Sequence, residues 1–400
     1  MRLSGRIIRA RVSATVHLSG LARDLRRAGH EIIDLGEGEP DFDTPHHITE
    51  AAFEAARHGA TRYTDVAGTP ELREAIALQF RRLNGPDVGP EDVIVGTGAK
   101  QLLFNAFMSS LNPGDEVIIP APCWVSYPDM VELADGKPVI ARCCAATGFK
   151  LAANALERLV TVKSRWLILN SPCNPTGAVY TSGELSAIAD VLRKHPALAV
   201  MCDDIYQEIV FEPATFTALS AVAPDLSHRV MTVHGVSKTY AMTGWRIGYA
   251  AGPSDLIAAM TKLQGQSTTN ASSVGQAAAC AALAGPQDFL GDWRATYRRR
   301  CDLVRQQLSG VAGLEFAMPD GAFYHFPDCT GLYGKSTPSG GTIRTDDDVS
   351  HYLLESAGVV TVPGSAFFAP GHLRICFARS EDLLARACQR IRTAIDSLAA

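Results

Sequence analysis

The ten cysteines of this chain include no C-x-x-C pair, which removes the commonest zinc and redox spacings. They are scattered, several within apolar runs, so free buried thiols in a reducing, cytoplasmic compartment are expected instead of a disulfide frame. His46 and His47 are adjacent and cannot share one helix face, so they make a poor metal pair. No run of about 20 apolar residues exists, and none predicts a membrane span. The N-terminal segment is basic (Arg2, Arg6, Arg9, Arg11) but has no apolar stretch of the secretory kind. An organellar transit peptide is the weaker alternative, since this short segment runs straight into the fold pattern. Positive charge is in deficit, with 37 Lys and Arg against 42 Asp and Glu, so there is no basic footprint for nucleic acid. There is no internal repeat and no low-complexity tract. What remains is a soluble globular chain of ordinary composition, long enough for two or three domains.

Two phosphate-loop signatures are incomplete. Gly334-Lys335-Ser336 would need a glycine at 329, where Cys329 stands, and a loop replaces the strand before it. Gly96-Thr-Gly-Ala-Lys-Gln101 lacks the third glycine of a dinucleotide fingerprint. It does follow a strand and open a helix. Small residues there let backbone N–H groups approach a phosphate, so the Ala99 and Lys100 amides are candidate donors.

The order of elements predicts an α/β fold. Helices are expected over Leu18–Ala28, His46–Arg57 and Pro70–Leu83, the last with Thr69 as N-cap and Pro70 at its first position. Short β-branched runs then alternate with helical stretches. The candidate strands are Val93–Val95, Glu116–Ile119, Pro138–Ala141, Trp166–Leu169, Ala197–Cys202, Val230–His234 and Ile247–Ala250. Several are apolar without alternation, as a mostly parallel sheet buried on both faces requires. After about Gly285 the pattern changes to a charged helix (Gln287–Leu308), hairpin-like segments and a final helix from Glu381, a smaller α+β unit. Residues 329–345 read as an exposed loop.

Lys238 stands out. It follows the run Val230–Val233 and precedes small and apolar residues, with Arg246 eight positions later. A core strand with two snorkelling cations is the plain reading. The functional one is a buried amine that loses its proton and condenses with a carbonyl. Arg246, a planar fork, suits a phosphate. A carbonyl and a phosphate on one small molecule describe pyridoxal 5′-phosphate (PLP). Other strand ends supply partners for it. Asp203 can pair with a protonated pyridine nitrogen, with Asp204 as a plain helix cap. Tyr206 and Asn174 are placed to bond a ring hydroxyl. Trp124 follows another strand end and either stacks on a flat ring or fills the core.

At this point the chain resembles the fold-type I PLP enzymes, specifically the class I aminotransferases of the bacterial aspartate aminotransferase subgroup. The carrying motifs are GEPDFDTP (38–45), TRYTDVAGTPELREAI (61–76), GAKQLLFNAF (98–107), PCWVSYP (122–128), NSPCNPTG (170–177), DDIY (203–206), GVSKTYAMTGWRIGY (235–249) and HLRICFA (372–378). Each is moderately specific; in this order they span nearly the whole chain. The resemblance implies a large domain over 46–285 with a mostly parallel seven-stranded sheet between helices. It implies a smaller α+β domain built from both termini, 1–45 and 286–400. Lys238 would be the Schiff-base lysine and proton carrier, with Asp203 at the pyridine nitrogen and Tyr206 and Asn174 at the ring hydroxyl. Trp124 would stack, and Ala99, Lys100, Ser237 and Arg246 would hold the phosphate. Arg374 would clamp the substrate carboxylate beside the Gly38 backbone. Tyr63 would reach the cofactor of the partner subunit in an obligate homodimer. Substrates would be amino acids and 2-oxo acids, aspartate and glutamate first, in a ping-pong exchange. Lys100, Thr15 and Arg11 occupy positions where bifunctional members also read prephenate. One departure is Gly235, where many relatives carry a phosphate-binding serine. An alanine or aromatic aminotransferase and a β-lyase on the same scaffold stay open. A non-catalytic regulator would need an added DNA-binding domain, for which the acidic chain gives no sign.

Overall fold

The computed structural model describes residues 3–9 and 14–399. In chain order the strands are β1 (Ile33–Asp34), β2 (Val93–Gly96), β3 (Glu116–Ala121), β4 (Lys137–Arg142), β5 (Ser164–Asn170) and β6 (Ala199–Asp203). They continue with β7 (Val230–Gly235), β8 (Gly248–Ala251), β9 (Tyr324–His325), β10 (Val359–Val360), β11 (Val362–Pro363) and β12 (Leu373–Cys376). β2 to β8 form one seven-stranded sheet in the order β2-β8-β7-β6-β5-β3-β4. β8 alone is reversed, antiparallel to both β2 and β7; every other pairing is parallel. All seven expected strands are therefore present, with ends shifted by no more than two residues.

Strand periodicity explains why both sheet faces are covered. Val117 and Ile119 point into one core with Ile94, Phe107 and Met231, beneath the helices Ala99–Ser110 and Ser254–Gly265. Ile118, between them, points into the opposite core with Leu167, Leu169 and Val200, beneath the helix Ser182–Lys194. A third core joins β2 and β8 to the helices His46–Arg57, Pro70–Arg82 and Ser273–Ala284. Thr69 Oγ1 accepts from Leu72 N at 3.3 Å, with Pro70 at the first helical position, as expected. The first of the expected helices starts earlier, spanning Ala14–Arg27. The helix expected from Gln287 begins at Phe289.

The hairpin-like segments form an antiparallel sheet, β11-β12-β9, and β1 pairs in parallel with β10. Helices Phe289–Leu308, Asp346–Ala357 and Glu381–Asp396 cover them. That pairing carries the chain after β1 across the carboxyl end of the large sheet. There Asp34 Oδ1 accepts from Gly36 N at 2.9 Å and from Glu37 N at 3.2 Å, folding a turn over the site.

None of the ten cysteines, all of them among the described residues, forms a disulfide, and seven are buried. Among the described residues no acidic, His and Cys cluster suits a metal, and no helix is long and apolar enough to cross a membrane. Gly334–Ser336 follows a 3-10 turn (Thr330–Leu332), not a strand.

Candidate active site

Parallel strands deliver their carboxyl ends to one edge, and the reversal of β8 adds its amino end to the same edge. The link between β7 and β8 therefore places both Lys238 and Arg246 there. With the ends of β2, β3, β5 and β6 they surround a cavity of about 410 Å³.

Lys238 sits in a helical turn, Val236–Thr239. It borders the cavity, and protein otherwise encloses its amine. Nζ donates to the Gly38 carbonyl at 2.6 Å. Burial lowers its pKa to about 8, so a neutral amine is accessible near neutral pH. Asp203 ends β6 and is 5% exposed. Its Oδ2 accepts from Tyr127 Oη at 2.6 Å, and its Oδ1 from Ile205 N at 3.4 Å. Burial raises its pKa to about 6 despite the Tyr127 hydrogen bond. Asp204 is equally buried and its pKa is pushed well up by burial, but it does not line the cavity. The carboxylate aimed at the site is thus Asp203.

On one side stands the start of the helix Ala99–Ser110. Gly98 has φ +83°, and a Cβ there would lie 2.3 Å from Arg246 Nη2. A Cβ on Gly248 would lie 2.1 Å from Ala99 N. Two glycines thus let the guanidinium and β8 close on the helix N-terminus. Arg246 Nη1 donates to Thr243 O at 2.8 Å. Ser237 lines the same wall. At Gly235, the departure from the resemblance, a Cβ would meet Gly248 Cα and Ile247 O at 3.1 Å, a tight fit that requires β8 to give by a few tenths of an ångström for any side chain. Lys100 Nζ lies 4.8 Å from the centre of the Trp124 ring. Partial burial, then the Arg246 charge, lowers its pKa.

On the other side Arg374, in β12, is 3% exposed. Its Nη1 donates to Asn174 Oδ1 at 2.9 Å and its Nη2 to the Gly36 carbonyl. Its guanidinium carbon stands 4.7 Å from the Tyr324 ring centre and 5.0 Å from that of Phe367. Nε is buried without a partner. The Tyr206 and Tyr324 hydroxyls are 2.7 Å apart. Gly38 contributes its carbonyl to Lys238 and Gly36 its own to Arg374.

Of the expected site residues, Gly38, Ala99, Lys100, Trp124, Asn174, Asp203, Tyr206, Ser237, Lys238, Arg246 and Arg374 line this one cavity. Tyr63 does not, and is 88% exposed. Arg11 lies outside the described residues, as does the side chain of Thr15. Tyr127, Asn170, Tyr324, Arg23 and Glu37 also line the cavity and were not anticipated. Tyr127 had a signal: it lies three residues after Trp124, and the two rings meet edge to face at 5.3 Å.

A lysine of lowered pKa, a buried carboxylate and a buried arginine around one cavity of a doubly covered α/β sheet define a class. The chain belongs to the family described as aminotransferase class I and II, which it matches over residues 30–391. It is 50% identical over 390 residues to a probable aspartate/prephenate aminotransferase of Rhizobium leguminosarum bv. phaseoli, covering 98% of each chain. It is 49% identical to the aspartate/prephenate aminotransferase of Cereibacter sphaeroides, again over 98% of each. Among solved structures, the aspartate aminotransferase of Rhizobium meliloti superposes with a TM-score of 0.97 at 48% identity and full coverage of both chains. That of Thermus thermophilus with maleate gives 0.92 at 41% identity, covering 98% of this chain and 100% of that one.

Proposed function

We propose that this aminotransferase uses PLP to exchange amino groups between aspartate or glutamate and 2-oxo acids, with prephenate as a further acceptor. One observation carries the reading. Lys238 and Arg374 hold two carbonyls of the same short segment, Gly38 and Gly36, while Asp203 lines the same cavity. An α-amino acid placed between those cations would put its carboxylate at Arg374 and its Cα–H near the Lys238 amine.

The residues present fit the cofactor. The space left by Gly98 and Gly248, the Ala99 and Lys100 amides and the Arg246 fork suit a phosphate. Asp203 suits a protonated ring nitrogen, Asn174 and Tyr206 a ring hydroxyl, and Trp124 a flat ring face. Bound there, PLP supplies the electron sink for a breaking bond at the substrate's Cα. Asp203 keeps the ring nitrogen protonated, and that cation draws the Asp203 pKa back down. Lys238 moves the proton at Cα, with a pKa close to working pH. Arg374 fixes the α-carboxylate with two parallel donors. A 2-oxo acid then meets the same residues in reverse, so ping-pong kinetics are expected.

The acidic side chain needs its own cation, because Arg374 is occupied by the α-carboxylate. Lys100 is assigned that role, with Thr15 and Arg11 from the N-terminal segment. Lys100→Ala is expected to cut kcat/KM for aspartate by about 10- to 100-fold and to leave alanine much less affected. A panel of amino donors and keto acids on both proteins tests this. A wild-type preference for alanine or aromatic amino acids, or an unchanged aspartate preference in Lys100→Ala, would overturn the side-chain assignment. Glutamate formation from aspartate and 2-oxoglutarate separates transamination from β-elimination.

The homodimer reading rests on Tyr63, exposed and absent from the cavity of its own chain. If Tyr63 serves the partner's cofactor phosphate, mixing Tyr63→Ala with Lys238→Ala chains should restore activity. Each heterodimer would hold one doubly substituted site and one intact site, so about a quarter of the wild-type sites return after random exchange. No recovery after verified subunit exchange removes the cross-subunit role.

A further inference from the structure

Two charged side chains in the cavity wall take no part in the reaction just described. Arg23 comes from the helix Ala14–Arg27, and Glu37 lies between the two residues whose carbonyls hold Arg374 and Lys238. The remaining charged residues of the wall are Lys100, Lys238, Arg246, Arg374 and Asp203. Among the described residues, Glu37 is therefore the only carboxylate of the wall besides Asp203.

Its side chain is 51% exposed and meets Arg379 Nη2 at 3.6 Å, longer than a hydrogen bond. Arg379 is committed elsewhere. Its Nη1 donates to the Ala378 and Glu39 carbonyls and its Nε to that of Asp34. The Glu37 backbone cannot retreat, because its N–H donates to Asp34 Oδ1 within the turn that sets the Gly36 and Gly38 carbonyls. An anion is thus held at the rim of a pocket whose proposed substrates are dianions.

We propose that Glu37 is a specificity-determining residue: a rim carboxylate that opposes the side-chain carboxylate of a dicarboxylic substrate, so that binding of this class is coupled to proton uptake. The inference rests on the acidic-substrate reading above. The charges acting on Glu37 are Asp34 at the end of β1, Glu39 on its own segment, Arg26 on the N-terminal helix and Arg379 after β12, and Arg23 and Lys100 line the same cavity. Burial first, then Glu39 and Asp34, already raise its pKa. A second substrate carboxylate adds like charge and moves it further the same way. Protonated, Glu37 offers that carboxylate a hydrogen-bond donor; ionised, it offers only repulsion. The sign follows by linkage. A group whose pKa rises on binding takes up a proton, so its favourable share is complete below the free-state pKa and is lost as pH rises through the bound-state pKa. A monocarboxylic substrate leaves the rim empty and is not coupled.

Glu37→Gln removes the charge and keeps the shape. Binding of maleate, a dicarboxylate that carries no amino group, is measured on the PLP-loaded enzyme between about pH 5 and pH 8. The wild type should lose affinity more steeply as pH rises. At the upper end E37Q should bind about two- to fivefold tighter, with the gap closing toward the lower end. The aspartate KM should fall by a similar factor while the ratio of alanine to aspartate kcat/KM drops. Parallel pH profiles, or weaker maleate binding in E37Q, overturn the proposal while tight wild-type binding keeps the acidic-substrate reading. If the wild type transaminates neutral amino acids but fails to bind maleate, that reading falls and this one with it.

Discussion

Lys238→Ala should lose transamination by at least about 10⁴-fold while the protein stays folded. The amine is the only group in the cavity assigned to move the proton at the substrate's Cα, and its lowered pKa of about 8 is matched to that task. Its neighbours do not replace it. Lys100 stands over the Trp124 ring, and Arg246 donates to the Thr243 carbonyl. The structural cost is small by contrast. Lys238 makes one hydrogen bond, to the Gly38 carbonyl, and that carbonyl opens onto a cavity where water can take the vacated place. The measurements are the visible absorption of the PLP-loaded protein, the turnover of aspartate with 2-oxoglutarate, and far-ultraviolet dichroism as a folding control. Turnover comparable to the wild type in a folded Lys238→Ala protein would overturn the central assignment. Restoration of part of the activity by added small amines would support it, because the missing group is then a base supplied from solution.

Lys238, Arg246 and Asp203 were legible in the sequence because their position follows from local order. Lys238 and Asp203 lie at or just beyond a strand whose β-branched run is visible, and parallel strands place such ends together, while Arg246 lies just before β8 and stood out by its spacing from Lys238. Asp203 and Asp204 are harder to tell apart in sequence; in the fold Asp203 pairs with Val233 at the end of β6 and lines the cavity, and Asp204 has already left the sheet. Tyr324, Glu37 and Arg23 were not legible. Tyr324 lies on a two-residue strand and Glu37 on a turn after another, and neither segment is long enough to show a period. Glu37 reaches the cavity through the pairing of β1 with β10, more than 300 residues away, and Tyr324 through that of β9 with β12, contacts that no local pattern encodes. The reversal of β8 was equally hidden, since an apolar run reads the same in either direction. It still decides the site, because it turns the β7–β8 link into a return that carries both cations to the same edge. The Gly235 departure became intelligible only with the fold, which packs β8 against that position at 3.1 Å.

Asp203→Asn should separate stability from activity. In the cofactor-free protein the Asp203 carboxyl is buried and its pKa is raised from 3.8 to about 6. A carboxylate whose folded pKa exceeds its unfolded pKa costs stability once the unfolded chain ionises. The cost is absent below about pH 4, grows between the two pKa values and is complete above about pH 6. A shift of roughly two units corresponds to about 3 kcal/mol at neutral pH. Asparagine carries no charge, so it avoids that cost; its Oδ1 still accepts from the Ile205 N–H, while its Nδ2 donates to Tyr127 Oη, whose hydroxyl turns round. Cofactor-free Asp203→Asn is therefore expected to be more stable than the wild type at pH 7 by up to that amount, with the difference vanishing toward pH 4. Turnover should move the opposite way. Without an anionic partner the ring nitrogen of PLP would no longer be held protonated, and a buried charge pair broken on one side costs about 3–5 kcal/mol, or roughly 10²- to 5 × 10³-fold in kcat. Urea unfolding of the cofactor-free proteins at several pH values gives the first quantity, and steady-state kinetics the second. A variant that is less stable than the wild type across the whole range would mean that the carboxylate is structural. Wild-type turnover in Asp203→Asn, with the loss appearing in Asp204→Asn, would move the ring-nitrogen role to the neighbouring residue.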